Sequence, residues 1–298
     1  MATPTAPVRL APIDRLTLGY LAVALAFTLL QGPRMLPAVI LLPLGLGLAA
    51  VVAAVIAPRA RRYGPVGQLV AEFYPLLVTL AFYTEVGLVN AARGVSHDSL
   101  VQRWEQALFG AQPSMTWLRS FPSAAWSTLM HAAYVSYFLI LAGAPLGLWW
   151  SGRREAARRT LLLLMATFYV CYTTFLLFPV AGPRYVFPHA TNAATAVPVA
   201  AFTYQLLEAF SAWGTAFPSS HVAVALVAAV GAWRGWRPLG AVLVPAALLL
   251  TVATVYGQFH YAVDALAGAG LALVVLVFSA RWRQYDSAPA QPSGARRT

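Results

Sequence analysis

Long apolar runs follow one another almost from end to end of this chain, and they limit what it can fold into. A hydrocarbon core about 30 Å thick needs about 20 helical residues to cross it. Eight segments approach that length, at roughly 14–31, 37–57, 68–90, 122–150, 158–179, 218–234, 238–256 and 259–281. The runs are continuous rather than alternating, which argues against a β-barrel. Only 10% of the residues are charged, against about 25% in a soluble domain. The expected fold is therefore all-α, a polytopic membrane protein of about eight transmembrane helices.

The net charge is +11, carried by 20 arginines and no lysine. A basic chain can bind nucleic acid, but arginines flanking apolar spans fit membrane anchoring better, and no nucleic-acid partner is expected. Eight spans put both termini on one side of the membrane. That side collects 15 arginines, including Arg59, Arg61, Arg62, Arg153, Arg154, Arg158 and Arg159, and the other side collects 5. The bias assigns both termini to the cytoplasm. The run after Arg9 and Arg15 has the charge of a secretion signal, but its length and the lack of a small-x-small site fit a retained span. The single cysteine, Cys171, reads as a core thiol. With no metal-ligand spacing in the sequence, no metal and no cofactor are expected.

Two long loops fall on the side away from the termini. Each contains an amphipathic stretch expected to lie in the interface. One is Ser96 to Phe109, with Leu100, Val101, Trp104 and Leu108 at helical spacing; the other carries Phe202, Leu206, Leu207, Phe210 and Trp213. Segments 1–12 and 283–298, rich in Pro, Ala, Ser and Arg, are expected to be disordered.

Ionisable groups are costly inside spans, so each is a functional candidate. Phe217-Pro218-Ser219-Ser220-His221 opens a span. Ser219 or Ser220 can cap its free amides, and a helix N-terminus suits a phosphate. The same pattern also suits a plain capped helix with an interfacial histidine. His260 and Asp264, at i and i+4, share one helix face, so the carboxylate can fix the imidazole tautomer, for catalysis or for structure alone. Arg184 follows a span end, where it can grip phosphate oxygens or anchor a headgroup. All three stretches fall on the same membrane side, and together they form a phosphoryl-transfer set. Glu72 is expected to pair with an arginine such as Arg62, and Glu85 to lie near the pocket.

Pro218-Ser219-Ser220-His221 and His260 to Asp264, in that order, resemble the type-2 phosphatidic acid phosphatase superfamily. AFPSSH, VYGQFHYAVDALAG and the Asp98–Ser114 stretch ending LFGAQPS look most like its inositol phosphorylceramide synthase branch, which has many bacterial members. The resemblance implies a six-helix catalytic core over 67–282, preceded by two accessory transmembrane helices over 13–66. The expected location is a bacterial plasma membrane, where the arginine bias puts the site on the extracytoplasmic side. The resemblance also implies roles: His260 as nucleophile, Asp264 as its orienting partner and His221 as proton donor and acceptor. Arg184, Ser219 and Ser220 would hold the phosphate of a lipid substrate, and inositol or another alcohol is a possible acceptor. Two cations of the superfamily pattern are replaced, by Leu177 and Thr254. Tyr185, Tyr256, Gln258, or His131 with Tyr134, could compensate, although His131 and Tyr134 could equally be a structural pair. A transporter of phosphorylated lipids is the alternative in another class, and a vanadate haloperoxidase fits the missing cations poorly. The oligomeric state is left open.

Overall fold

The computed structural model describes residues 10–31, residue 47 and residues 63–286. Twelve helices are described: α1 (Pro12–Leu30), α2 (Gly64–Arg93), α3 (Asp98–Phe109), α4 (Pro113–Ser120), α5 (Ala124–Val135), α6 (Tyr137–Trp150), α7 (Arg154–Leu177), α8 (Pro183–Val186), α9 (Pro198–Phe210), α10 (Ser220–Gly235), α11 (Arg237–Tyr256) and α12 (Ala262–Asp286). Among the described residues the only β pairing is an isolated bridge between Val180 and Thr215. The protein is an all-α polytopic membrane protein. Helices α1, α2, α7, α11 and α12 are each long and apolar enough to cross a membrane, and the bent pair α5–α6 reaches that length and hydropathy only when its two helices are taken together.

The structure departs from the sequence reading in three places. The span expected at 122–150 is two helices meeting at 43°. The break falls at Ser136, whose hydroxyl donates to the Ala133 carbonyl at 2.6 Å and so competes with the backbone ladder. Helix α10 has 16 residues, about 24 Å at 1.5 Å per residue, so it falls short of a full crossing. Helix α12 runs to Asp286, past the expected boundary at 282. The expected span at 37–57 and the outer parts of both termini lie outside the described residues.

Helix α10 can be short because it is the buried centre of the bundle. It packs against α6, α7, α11 and α12, and Val222 to Ala225, Val227 to Ala229 and Ala232 are all buried. Small side chains let helices approach closely without a hydrophobic drive from the lipid. The long outer helices α7, α11 and α12 thus hold the N-terminus of α10 at a fixed depth. Helix α1 packs on α7 and α2 through Tyr20, stacked on Tyr169 at 4.6 Å, and through Asp14, which accepts from the Tyr74 hydroxyl at 2.6 Å.

Candidate active site

The N-terminus of α10 forms one wall of the site. Ser219 is the N-cap, and its Oγ accepts the Val222 N–H at 3.3 Å. His221 is thereby set in the first turn. The opposite wall is the turn between α11 and α12. The Thr254 carbonyl accepts the N–H groups of Phe259 and His260, each at 3.0 Å. The Tyr261 N–H donates to Asp264 Oδ2 at 2.8 Å, closing the first turn of α12 as a capping side chain does. The walls are joined where the Ser219 N–H donates to the Asp264 carbonyl at 2.9 Å. A Cβ on Gly268 would lie 2.4 Å from the Ser219 carbonyl oxygen, so the approach of α12 to α10 needs glycine there.

This framework brings His221 Nδ1 to 3.3 Å from His260 Nε2. The other nitrogen of His260, Nδ1, lies 3.0 Å from the Ala216 carbonyl oxygen and 3.5 Å from Asp264 Oδ2. A carbonyl can only accept, so Nδ1 carries the proton and Nε2 keeps its lone pair. The sequence points to Asp264 as the orienting group; the structure adds Ala216 as the closer one. His260 precedes the helix rather than lying on its face, and Asp264 Oδ2 is already engaged by Tyr261. On the far side of His221, Nε2 lies 3.3 Å from the Tyr134 hydroxyl.

Arg184 enters from α8. The turn before it requires Gly182, whose φ of 98° disfavours any side chain. The guanidinium lines the same small cavity, about 40 Å³, as His221, His260, Tyr83, Tyr134 and Tyr185. Its Nη1 donates to Ser211 Oγ at 2.9 Å, and the Tyr185 hydroxyl is 3.0 Å from the same oxygen. A larger and mostly apolar cavity of about 120 Å³ adjoins this one, sharing Tyr83, Tyr134 and His221 with it and adding Tyr137, Phe138 and Tyr172.

The remaining candidates are distributed around this centre. Ser219 is fully buried in its cap, and Ser220 lines the larger cavity. His131 bonds within its own helix, its Nδ1 2.8 Å from the Ser127 carbonyl, and Tyr256 donates to the Phe121 carbonyl at 2.9 Å. Gln258 is buried in the connecting turn with φ 61°. Glu85 is buried and lines neither cavity. Glu72 pairs with Arg158, at 2.7 Å; Arg62 lies outside the described residues. Sequence reasoning missed Tyr83, Ser211 and the Ala216 carbonyl. It also missed Asp98 and Glu105, whose place seven residues apart on the face of Val101 was the available signal. Burial pushes the Glu105 carboxyl up to about 7. Burial, and then the Asp98 charge, push the Tyr261 hydroxyl up as well.

Fold and site together define a class: a helical membrane protein that presents two histidines and one guanidinium to a single small cavity. The family model of the PAP2 superfamily matches residues 99–278, more than half of the chain. The protein belongs to that superfamily, and its activity is of the phosphatase or phosphotransferase type. The match takes in α3 to α12, with α1 and α2 preceding it. No curated protein and no solved structure matches the chain.

Proposed function

We propose that the protein transfers a phosphoryl group from a membrane lipid phosphate to a hydroxyl acceptor through a phosphohistidine on His260, without a metal. The observation that carries this reading is the 3.3 Å approach of His260 Nε2 to His221 Nδ1 in a cavity shared with Arg184. The Nε2 lone pair attacks phosphorus, and the bond to the leaving oxygen breaks as His221 gives that oxygen a proton. His221 then takes the proton of the acceptor hydroxyl. The acceptor oxygen attacks phosphorus, the P–N bond breaks, and free His260 is restored. A phosphoryl group on Nε2 takes the space now held by His221 Nδ1, so the His221 ring turns aside toward Tyr134 as substrate enters. Arg184 and the Tyr134 and Tyr185 hydroxyls supply donors to the phosphate oxygens.

The motif resemblance to the inositol phosphorylceramide synthase branch supports an alcohol acceptor such as inositol. So does the pairing of one arginine with neutral tyrosines where the superfamily pattern has further cations. Water remains the acceptor of a lipid phosphate phosphatase. The arginine bias supports an extracytoplasmic site. Mass spectrometry of purified protein incubated with lipid phosphates, with and without inositol, tests the mechanism and the acceptor. Wild type should form phospho-His260 and release product; His260→Ala should do neither. Full turnover by His260→Ala would sink the mechanism, and an unchanged product on adding alcohols would leave hydrolysis. In intact cells an impermeant thiol reagent should label Thr191→Cys and spare Glu155→Cys; the reverse pattern would invert the assigned orientation.

A further inference from the structure

Helix α3 lies over the site with its two carboxylates turned into the protein. Asp98 is 6% exposed and Glu105 fully buried. Asp98 Oδ1 accepts the Gly182 N–H at 2.8 Å and the Tyr261 hydroxyl at 2.9 Å. Its Oδ2 accepts the Ala181 N–H at 2.8 Å and the Ser96 hydroxyl. One side chain therefore binds two separate stretches of chain. The first is the turn that ends two residues before Arg184. The second is the residue directly after His260. The contact is reinforced on both sides: the His97 N–H donates to the Pro179 carbonyl at 2.9 Å, and Gln102 Nε2 donates to the Tyr261 hydroxyl at 3.1 Å. Glu105, two turns along α3, accepts the Ala262 N–H at 2.7 Å, fixing the first residue of α12.

We propose that Asp98 is a positioning residue that holds the phosphate-gripping arginine and the nucleophilic histidine in register by tying both of their turns to one carboxylate. The proposal rests on the phosphohistidine reading and adds to it a requirement for a shared anchor. Arg184 and His260 sit on segments about 75 residues apart in the chain. No direct bond joins their side chains among the described residues. A group that positions reacting atoms from outside can be worth about a hundredfold in rate when its loss shifts them by about 1 Å.

The chemistry of the carboxylate makes this testable by the exchange of one heavy atom. In Asp98→Asn one acceptor oxygen becomes an NH₂ group. Either orientation sets that group against an amide N–H, of Ala181 or of Gly182. Tyr261→Phe removes the Asp98 bond to the nucleophile's turn, and the Gln102 bond with it, and leaves the Arg184 turn tied. The test is steady-state kinetics of the purified full chain with whichever lipid phosphate the wild type turns over, alongside thermal denaturation. Asp98→Asn should lower kcat by about 30–100-fold and raise KM several-fold, since both turns are released. Tyr261→Phe should lower kcat by about tenfold at unchanged KM, the cost of losing the hydroxyl's bonds to the Asp98 carboxyl group and to Gln102. The double variant should be no more than a few-fold slower than Asp98→Asn, because the hydroxyl then has at most a neutral amide oxygen to bind.

Effects that multiply in the double variant would overturn the proposal. So would a lowered melting temperature with kcat and KM within about threefold of wild type in both single variants. If Asp98→Asn does not fold, Tyr261→Phe decides: a kcat loss at constant KM supports the anchor, and wild-type kcat refutes it. His260→Ala in the same assay separates the two readings. If it is inactive while the Asp98 and Tyr261 variants are fully active, the mechanism stands and the anchor falls. If it is active, the phosphohistidine reading falls, and with it the claim that Asp98 positions a nucleophile.

Discussion

At the end of the bundle away from the histidines, the buried carboxylate of Glu72 is held by an arginine: Arg158 reaches Oε1 through Nη2 at 2.7 Å and Nε at 3.2 Å, and Trp149 Nε1 donates to Oε2 at 3.2 Å. Three of the carboxylates buried at the histidine end, Asp98, Glu105 and Asp264, pack against the turns that carry Arg184 and His260. There the hydrogen bonds come from neutral donors: the backbone N–H groups of Ala181, Gly182, Tyr261 and Ala262, and the hydroxyls of Tyr261, Ser96 and Ser114. Tyr261 and Ala262 begin α12, where the helix dipole also favours negative charge. Glu72 is thus neutralised by a cation, whereas the three carboxylates near the histidines, like Asp14 beside Tyr74, are held by neutral donors. This difference leaves Arg184 with a hydroxyl for a partner and, among the described residues, no carboxylate in ion-pair range. Its charge stays available for a phosphate.

The sharpest way to break this comparison is to remove each arginine. Arg184→Ala takes away the cation of the site cavity and should lower kcat/KM by about 10²–10³-fold, about 3–4 kcal/mol, the usual cost of losing a donor aimed at developing charge. The melting temperature should hold, since no buried carboxylate is stranded. Arg158→Ala should do the opposite: activity per folded molecule is retained, while stability falls because Glu72 is left charged and buried. Breaking a fully buried pair costs about 3–5 kcal/mol. The Arg158 side chain is 52% exposed, so solvent already screens the pair, and about 2 kcal/mol is the expected loss. Equal activity losses in the two variants would mean that the ends do not differ in the way described.

Much of the site could be read from the chain because its parts are local. The cap at Ser219 sets His221 in the first turn of its helix, and the short spacing keeps His260 within 3.5 Å of Asp264, although His260 lies before the helix and not on its face. Other parts depend on partners distant in sequence. The Ala216 carbonyl has no side-chain signature, and it becomes the closest partner of His260 Nδ1 only after α10 and α12 meet. Tyr83 reads as one more aromatic in an apolar span. Helix α3 is the most instructive case. Its apolar spacing points to a helix lying in the interface, and Leu108 is indeed 65% exposed. Its other face buries Asp98 and Glu105, because the turns beneath it present N–H groups that need acceptors. Periodicity of apolar residues found the helix and gave no sign of which polar groups it serves. In the same way, hydropathy over 122–150 found a span and missed its break, which one serine hydroxyl produces.

The smallest expected effect is at Glu105, and it probes whether dipoles alone can hold a buried carboxylate charged. Burial pushes this group up from its ordinary 4.5 to about 7, opposed by the Ala262 N–H and assisted by the nearby Asp264 charge. A carboxyl raised on folding binds its proton more tightly in the folded chain. Its contribution to stability is therefore fully present below about pH 4.5 and is lost as the pH rises through about 7. Glu105→Gln imitates the protonated acid: the amide oxygen can accept from Ala262, and the NH₂ can donate to Ser114. Variant and wild type should melt together near pH 4.5, and the variant should melt about 2–4 °C higher near pH 8. A melting difference that does not change with pH would show that Glu105 carries the same charge folded and unfolded. The dipoles of α12 would then be as effective as the guanidinium that holds Glu72.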